Sequence, residues 1–124
     1  MQLQKTLFLL GRRLTPEQLR VSKFYEFAPY DYGPFSREVY EDAERLEREG
    51  LVQIERPPHT RFNLYAVTPA GLERAAELEE VLAPPVRDYV RSVVAWAMSL
   101  TFNQLVSEIY KAYPEMRENS VFQG

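Results

Sequence analysis

The sequence predicts an α+β fold that is mostly α, with a small antiparallel sheet set among helices. Three observations predict it. Residues 36–50 read as one amphipathic helix with its own start and stop. Two short segments that alternate apolar and polar residues, LVQIE at 51–55 and FNLYAV at 62–67, flank the proline-containing tip RPPHTR at 56–61. Helical periodicity then continues through three further segments. A helix followed by such a hairpin is the order of a winged helix. The expected architecture is therefore a winged helix over residues 1–82, with a C-terminal helical extension at 83–124. The extension packs on the first part or forms a dimer interface, within a single structural domain.

The elements follow in order. LQKTLFLLGRR places Leu3, Leu7 and Leu10 at helical spacing and ends on Arg12 and Arg13, which suit the negative end of the helix dipole. Thr15, Pro16 and Gln18 have the pattern of an N-cap, a first-turn proline and a capping box, so a short second helix is expected. KFYEFAPY is aromatic and extended in character. In YGPFS, Gly33 can take a positive φ, Pro34 is rigid, Ser36 is the N-cap, and Phe35 and Tyr40 are spaced as a hydrophobic staple. Val39, Ala43 and Leu46 form the inward stripe, and Gly50 ends the helix. Thr68-Pro69 caps and opens PAGLERAAELEEVL, which the APP at 83–85 breaks. VRDYVRSVVAWAMSL is apolar on nearly all sides. TFNQLVSEIYKAYP sets Phe102, Leu105, Val106, Ile109, Tyr110 and Tyr113 on one face.

Composition narrows the function classes. The chain has 124 residues, 45% hydrophobic and 27% charged, which suits one modest core. No apolar run reaches the roughly 18 residues of a membrane span, and the N-terminus lacks a signal-peptide pattern. Cysteine is absent, so disulfides, thiol catalysis and cysteine-based metal sites are excluded, and a cytoplasmic location is expected. His59 is the only histidine, and no glycine-rich phosphate motif is present. Acid pairs such as Glu41/Asp42 diverge on a helix and make no general acid/base pair. No enzyme, metal site or cofactor is expected.

Charge placement bears on nucleic acid. Net charge is −3. Residues 1–37 hold six Lys/Arg against three Asp/Glu, whereas residues 38–49 hold two Arg against six carboxylates. In a winged helix the middle helix enters the major groove and the wing touches the backbone. Candidate DNA contacts are Arg37, Arg45 and Arg48 on that helix and Arg56, His59 and Arg61 on the wing. Glu38, Glu41 and Asp42 oppose this, since they lie on the outward face and repel phosphate. They are candidates for contact with a basic protein partner instead. The stretch from Lys23 to Phe35 is also longer than the three- or four-residue turn of a helix-turn-helix.

The apolar helix near the C-terminus must be central or shared with a partner. Tyr89, Val93, Val94, Trp96 and Met98 are the candidate dimer residues, and a two-fold homodimer is expected.

LQK on the first helix, YDYGPFSREVYEDAERLEREGLV, YAVTPAG, and FNQLVSEIYKAYPE followed by NS together resemble the small prokaryotic winged-helix proteins grouped around YwgA. More distantly they resemble the SocA-type antitoxin (Panacea) domain. YAVTPAG is also similar to MarR-like and PadR-like regulators. The resemblance implies a winged helix. The leading functional expectation is a small dimeric DNA-binding transcriptional regulator. The alternatives are an antitoxin-like or adaptor module that uses the acidic helix 37–49 to bind a protein, and an ancillary subunit of a larger assembly.

Overall fold

Residues 28–30 and 33–35 pair as two very short strands immediately ahead of the middle helix, where the sequence suggested only a strand or an ordered loop. The computed structural model describes residues 2–59 and 63–121. Along them run α1 (Gln2–Arg13), β1 (Ala28–Tyr30), β2 (Gly33–Phe35), α2 (Arg37–Arg48), β3 (Val52–Glu55), β4 (Leu64–Val67), α3 (Pro69–Glu80), α4 (Pro84–Met98), α5 (Phe102–Ala112) and a 3-10 turn (Pro114–Arg117). The fold is α+β and mostly helical, with antiparallel pairs β1–β2 and β3–β4. Two compact units emerge: Met1–Ser36 with Ala83–Gly124, and Arg37–Leu82. Residues 83–124 group with residues 1–36.

The first unit is centred on α1. Six of its residues are buried, from Gln4 to Leu10. Phe8, Leu9 and Leu10 pack with Val93 and Ala97 of α4, with Leu105, Val106, Ile109 and Tyr110 of α5, and with Met116. Each of the larger aliphatic side chains and Phe8 contributes roughly 1.5–3 kcal/mol by leaving water. Phe8 meets Phe27 and Tyr113 edge-on at 5.6 and 5.1 Å. The helix expected to be central or shared with a partner, α4, buries only Val93 and Ala97. The reason is visible in α1: its polar residues Gln4, Lys5 and Thr6 are buried too, so its sequence looks less interior than it is. α5 keeps its expected apolar face and adds a capping box, with Thr101 N–H donating to Gln104 Oε1 (2.8 Å) and Gln104 N–H to Thr101 Oγ1 (3.1 Å).

The short helix expected after Thr15 stops at one turn. Its capping box forms, with Thr15 N–H donating to Gln18 Oε1 at 2.8 Å and Gln18 N–H to Thr15 Oγ1 at 3.2 Å. Arg20 then adopts φ +61, and Val21 and Arg20 N–H donate back to Pro16 and Glu17 carbonyls. That is the closing pattern of a helix end, reached before the helix has grown.

The Gln4 side chain holds the backbone of Ser36. It donates to the Ser36 carbonyl and accepts from the Ser36 N–H, both at 2.9 Å and both buried. Gln4→Ala leaves two buried backbone groups without these partners. The expected loss is about 2 kcal/mol, read from the urea midpoint at constant m. An unchanged midpoint means that water replaces the amide.

In the Arg37–Leu82 unit, α2 buries Val39 and Ala43. Gly50, at φ +78, ends it, with Gly50 N–H donating to Glu47 O and Leu51 N–H to Leu46 O. These are the paired bonds of a Schellman closure. The register of the following hairpin is Val52 opposite Val67 and Glu55 opposite Leu64. Thr68 then links three elements. Its Oγ1 donates to Gly50 O (2.7 Å) and accepts from Gly71 N–H (3.0 Å), and its N–H donates to Leu51 O (3.1 Å). Gly71 is buried where α3 begins, and a Cβ built there collides with the Leu51 carbonyl oxygen.

Candidate interaction surfaces

The outward side of α2 is dense in charge. Arg37, Glu38, Glu41, Glu44, Arg45, Arg48 and Glu49 are exposed, and Asp42 is half-buried. Arg45 pairs with Asp42 at 3.5 Å. The decisive contact is on the hairpin. Arg56 donates from both terminal nitrogens to the Glu47 carboxylate, at 3.1 and 3.3 Å, and also to the Ile54 carbonyl. Those bonds hold the Glu47 carboxyl below its ordinary pKa and raise that of Arg56. Bidentate arginine–carboxylate pairing is the geometry by which arginine also grips phosphate, so here the fork is already occupied by α2. His59 is exposed at the hairpin tip with φ +65. Arg61 lies outside the described residues.

A second cluster gathers the stretches that carried the family resemblance. The β1–β2 hairpin is held from α1 by Gln4 on Ser36 and by Lys5, whose Nζ donates to the Pro34 carbonyl at 3.2 Å. From the C-terminal side, Asn119 Nδ2 donates to Pro29 O, and Ser120 Oγ and Val121 N–H both donate to Asp31 O. Tyr110 Oη donates to Ser120 Oγ at 2.6 Å. Tyr30 meets Phe35 at a tilt of 46° and Tyr32 meets Phe102 edge-on, at centroid distances of 5.0 and 5.8 Å. Sequence reasoning left Lys5, Gln4, Asn119 and Ser120 without roles. The signal was their presence in the resembling stretches, and the structure makes them supports of one hairpin. Burial drives the Lys5 ammonium down to a pKa of about 8.

The third surface is α4. Tyr89, Val94, Trp96 and Met98 are exposed as the dimer expectation requires, but Val93 is buried in the chain's own core and is withdrawn from that set. Tyr89 and Trp96 border a cleft of about 240 Å³ that Leu9, Arg13, Ser92 and Val93 complete. Arg13 donates to the Tyr89 hydroxyl at 3.4 Å.

Among the described residues no three His, Asp or Glu side chains gather as a metal site. Among them, too, no helix is long and apolar enough to cross a membrane. The chain matches no family model, no curated protein and no solved structure.

Proposed function

We propose that the chain is a small winged-helix-like protein-interaction module, of antitoxin or adaptor type, whose α2 face receives a basic protein partner. The observation that carries this reading is the Arg56–Glu47 pair, which folds the hairpin's arginine onto the acidic helix. Two further features support it. Residues 37–82 carry eleven carboxylates against six arginines, a formal −5. A β-hairpin, not a helix, precedes α2. A helix-turn-helix uses that preceding helix to cross the phosphate backbone. The order α2, β3, hairpin, β4 and the exposed Arg37 and Arg48 favour a second reading, a dimeric DNA-binding regulator.

One comparison separates them. Duplex binding is followed by fluorescence anisotropy at two salt concentrations, for the wild type and for Arg56→Ala with Arg61→Ala. The expected result is weak binding, indifferent to sequence and abolished by moderate salt. Tight binding to one duplex, with a salt slope that falls by about two in the variant, overturns the proposal in favour of the regulator. In parallel, Glu41→Lys with Asp42→Lys is expected to abolish capture of basic proteins while the melting temperature stays within a few degrees; retained capture sinks the α2 assignment.

A further inference from the structure

The β3–β4 pair has two outer edges, and the Arg37–Leu82 unit treats them differently. Thr68 N–H donates to Leu51 O at 3.1 Å, so Leu51 and Thr68 form a bonded position of the ladder. Bonded and unbonded positions alternate in an antiparallel pair. With Val52 opposite Val67 and Ile54 opposite Tyr65, the next bonded positions are Gln53–Ala66 and Glu55–Leu64. The N–H and C=O groups of Val52 and Ile54 therefore point out of the β3 edge, and those of Tyr65 and Val67 out of the β4 edge.

At the β3 edge the unit supplies its own partners. Ile54 O accepts from Arg56 at 3.3 Å, and the Glu47 carboxylate accepts a backbone hydrogen bond from Ile54. At the β4 edge, among the described residues, nothing bonds the Tyr65 or Val67 backbone. Nor does β4 carry the usual guards of a free edge. Leu64–Val67 reads LYAV, without lysine, proline or a bulge in its register. The side chains repeat the asymmetry. Val52, Ile54, Tyr65 and Val67 share one face of the pair. The first three are half-buried, whereas Val67, at the open edge, is 48% exposed.

We propose that β4 is a docking edge for an extended, basic segment of another protein, which adds to it as a third, antiparallel strand. The residues of that segment opposite Tyr65 and Val67 exchange main-chain hydrogen bonds with them. Their side chains fall on the Val52–Val67 face and are apolar, because they cover Val67. The alternate side chains fall on the other face and are cationic, because the unit holds eleven carboxylates against six arginines and no lysine. The same charge argues against a second copy, since pairing β4 with β4 brings two acidic units together. The docking edge contains no α2 residue, so it stands whether or not α2 receives a partner.

The probe is a short capped peptide that alternates lysine and valine, titrated into the full chain up to millimolar concentration and followed by NMR of the backbone amides. Saturable binding is expected, with the Tyr65 and Val67 amides shifted and their hydrogen exchange slowed by about tenfold or more. In the added strand the valine amides face β4 and the lysine amides face water. N-methylation of the valine amides is expected to weaken binding about tenfold or more, and N-methylation of the lysine amides to leave it within about twofold. A peptide alternating glutamate and valine is expected not to bind. Equal or inverted sensitivity to the two methylations, equal binding of the acidic peptide, shifts that spare Tyr65 and Val67, or no binding at millimolar peptide overturns the proposal. Protection of both amides that grows with protein concentration, without peptide, overturns it in favour of a second copy. None of these readouts needs a substituted chain, so loss of folding cannot imitate a negative result.

Discussion

Gly71→Ala is expected to destabilise the Arg37–Leu82 unit by about 3 kcal/mol or more, at the upper end of overpacking effects. Gly71 sits on the first turn of α3, directly over the Leu51 carbonyl. That oxygen cannot yield easily, because it accepts the Thr68 N–H at 3.1 Å and so joins the end of the α2 closure to the end of β4. A methyl group must therefore push α3 off the hairpin or break this bond, and Thr68 then also loses its cap on Gly71 N–H. Gly50→Ala is the informative control. Gly50 has φ +78 but nothing within 4 Å of a new Cβ, so its cost is only the left-handed backbone, about 1 kcal/mol. Denaturant unfolding orders the two, and hydrogen exchange of the β3 and β4 amides locates the damage. If Gly71→Ala proves no worse than Gly50→Ala, the α3 turn is free to move and its role as the anchor of the unit fails.

Local signals were legible in the sequence and long-range partnerships were not. α2, with its Gly50 closure, and the β3–β4 pair follow from caps and alternation, which act within a few residues. α5 follows from its apolar face, since Leu105, Val106, Ile109 and Tyr110 are all buried. The β1–β2 pair was hard to read because each strand has three residues and each contains a proline, too short for an alternation pattern. The burial of α1 was hidden because Gln4 and Lys5 are polar, and their partners Ser36 and Pro34 stand 32 and 29 residues away. The same limit applies to the candidate surfaces. Arg56 was read only as a phosphate contact, and its bond to Glu47, nine residues earlier, carries no local signal. Val93 looked like a dimer residue on an all-round apolar helix, and only packing against α1 and α5 separates it from exposed Val94 and Trp96.

Lys5 supplies the second large effect, and its readout is a pH slope. The residue is 3% exposed, its Nζ donates to Pro34 O at 3.2 Å and stands 5.9 Å from the Phe102 ring centre. Burial lowers its pKa from 10.5 to about 8. Below about pH 8 both the folded and the unfolded chain hold the proton, and the buried charge opposes folding in full. Between about pH 8 and 10.5 the folded protein has released that proton while the unfolded chain keeps it. The unfolded state then binds more protons, so stability rises with pH across this window. A displacement of that size corresponds to about 3 kcal/mol. Tyrosine ionisation near pH 10 acts in the same range, so the quantity to measure is the difference in unfolding free energy between wild type and Lys5→Met, taken from pH 7 to 10.5. The wild type is expected to gain on the variant by about 3 kcal/mol over that interval. Lys5→Met also removes the bond to Pro34, but that loss is the same at every pH and shifts the difference without tilting it. A flat difference means that the ammonium keeps its ordinary proton affinity inside the fold. The hairpin that carries Tyr30, Asp31 and Tyr32 would then be held on α1 by an ordinary charged lysine with access to water.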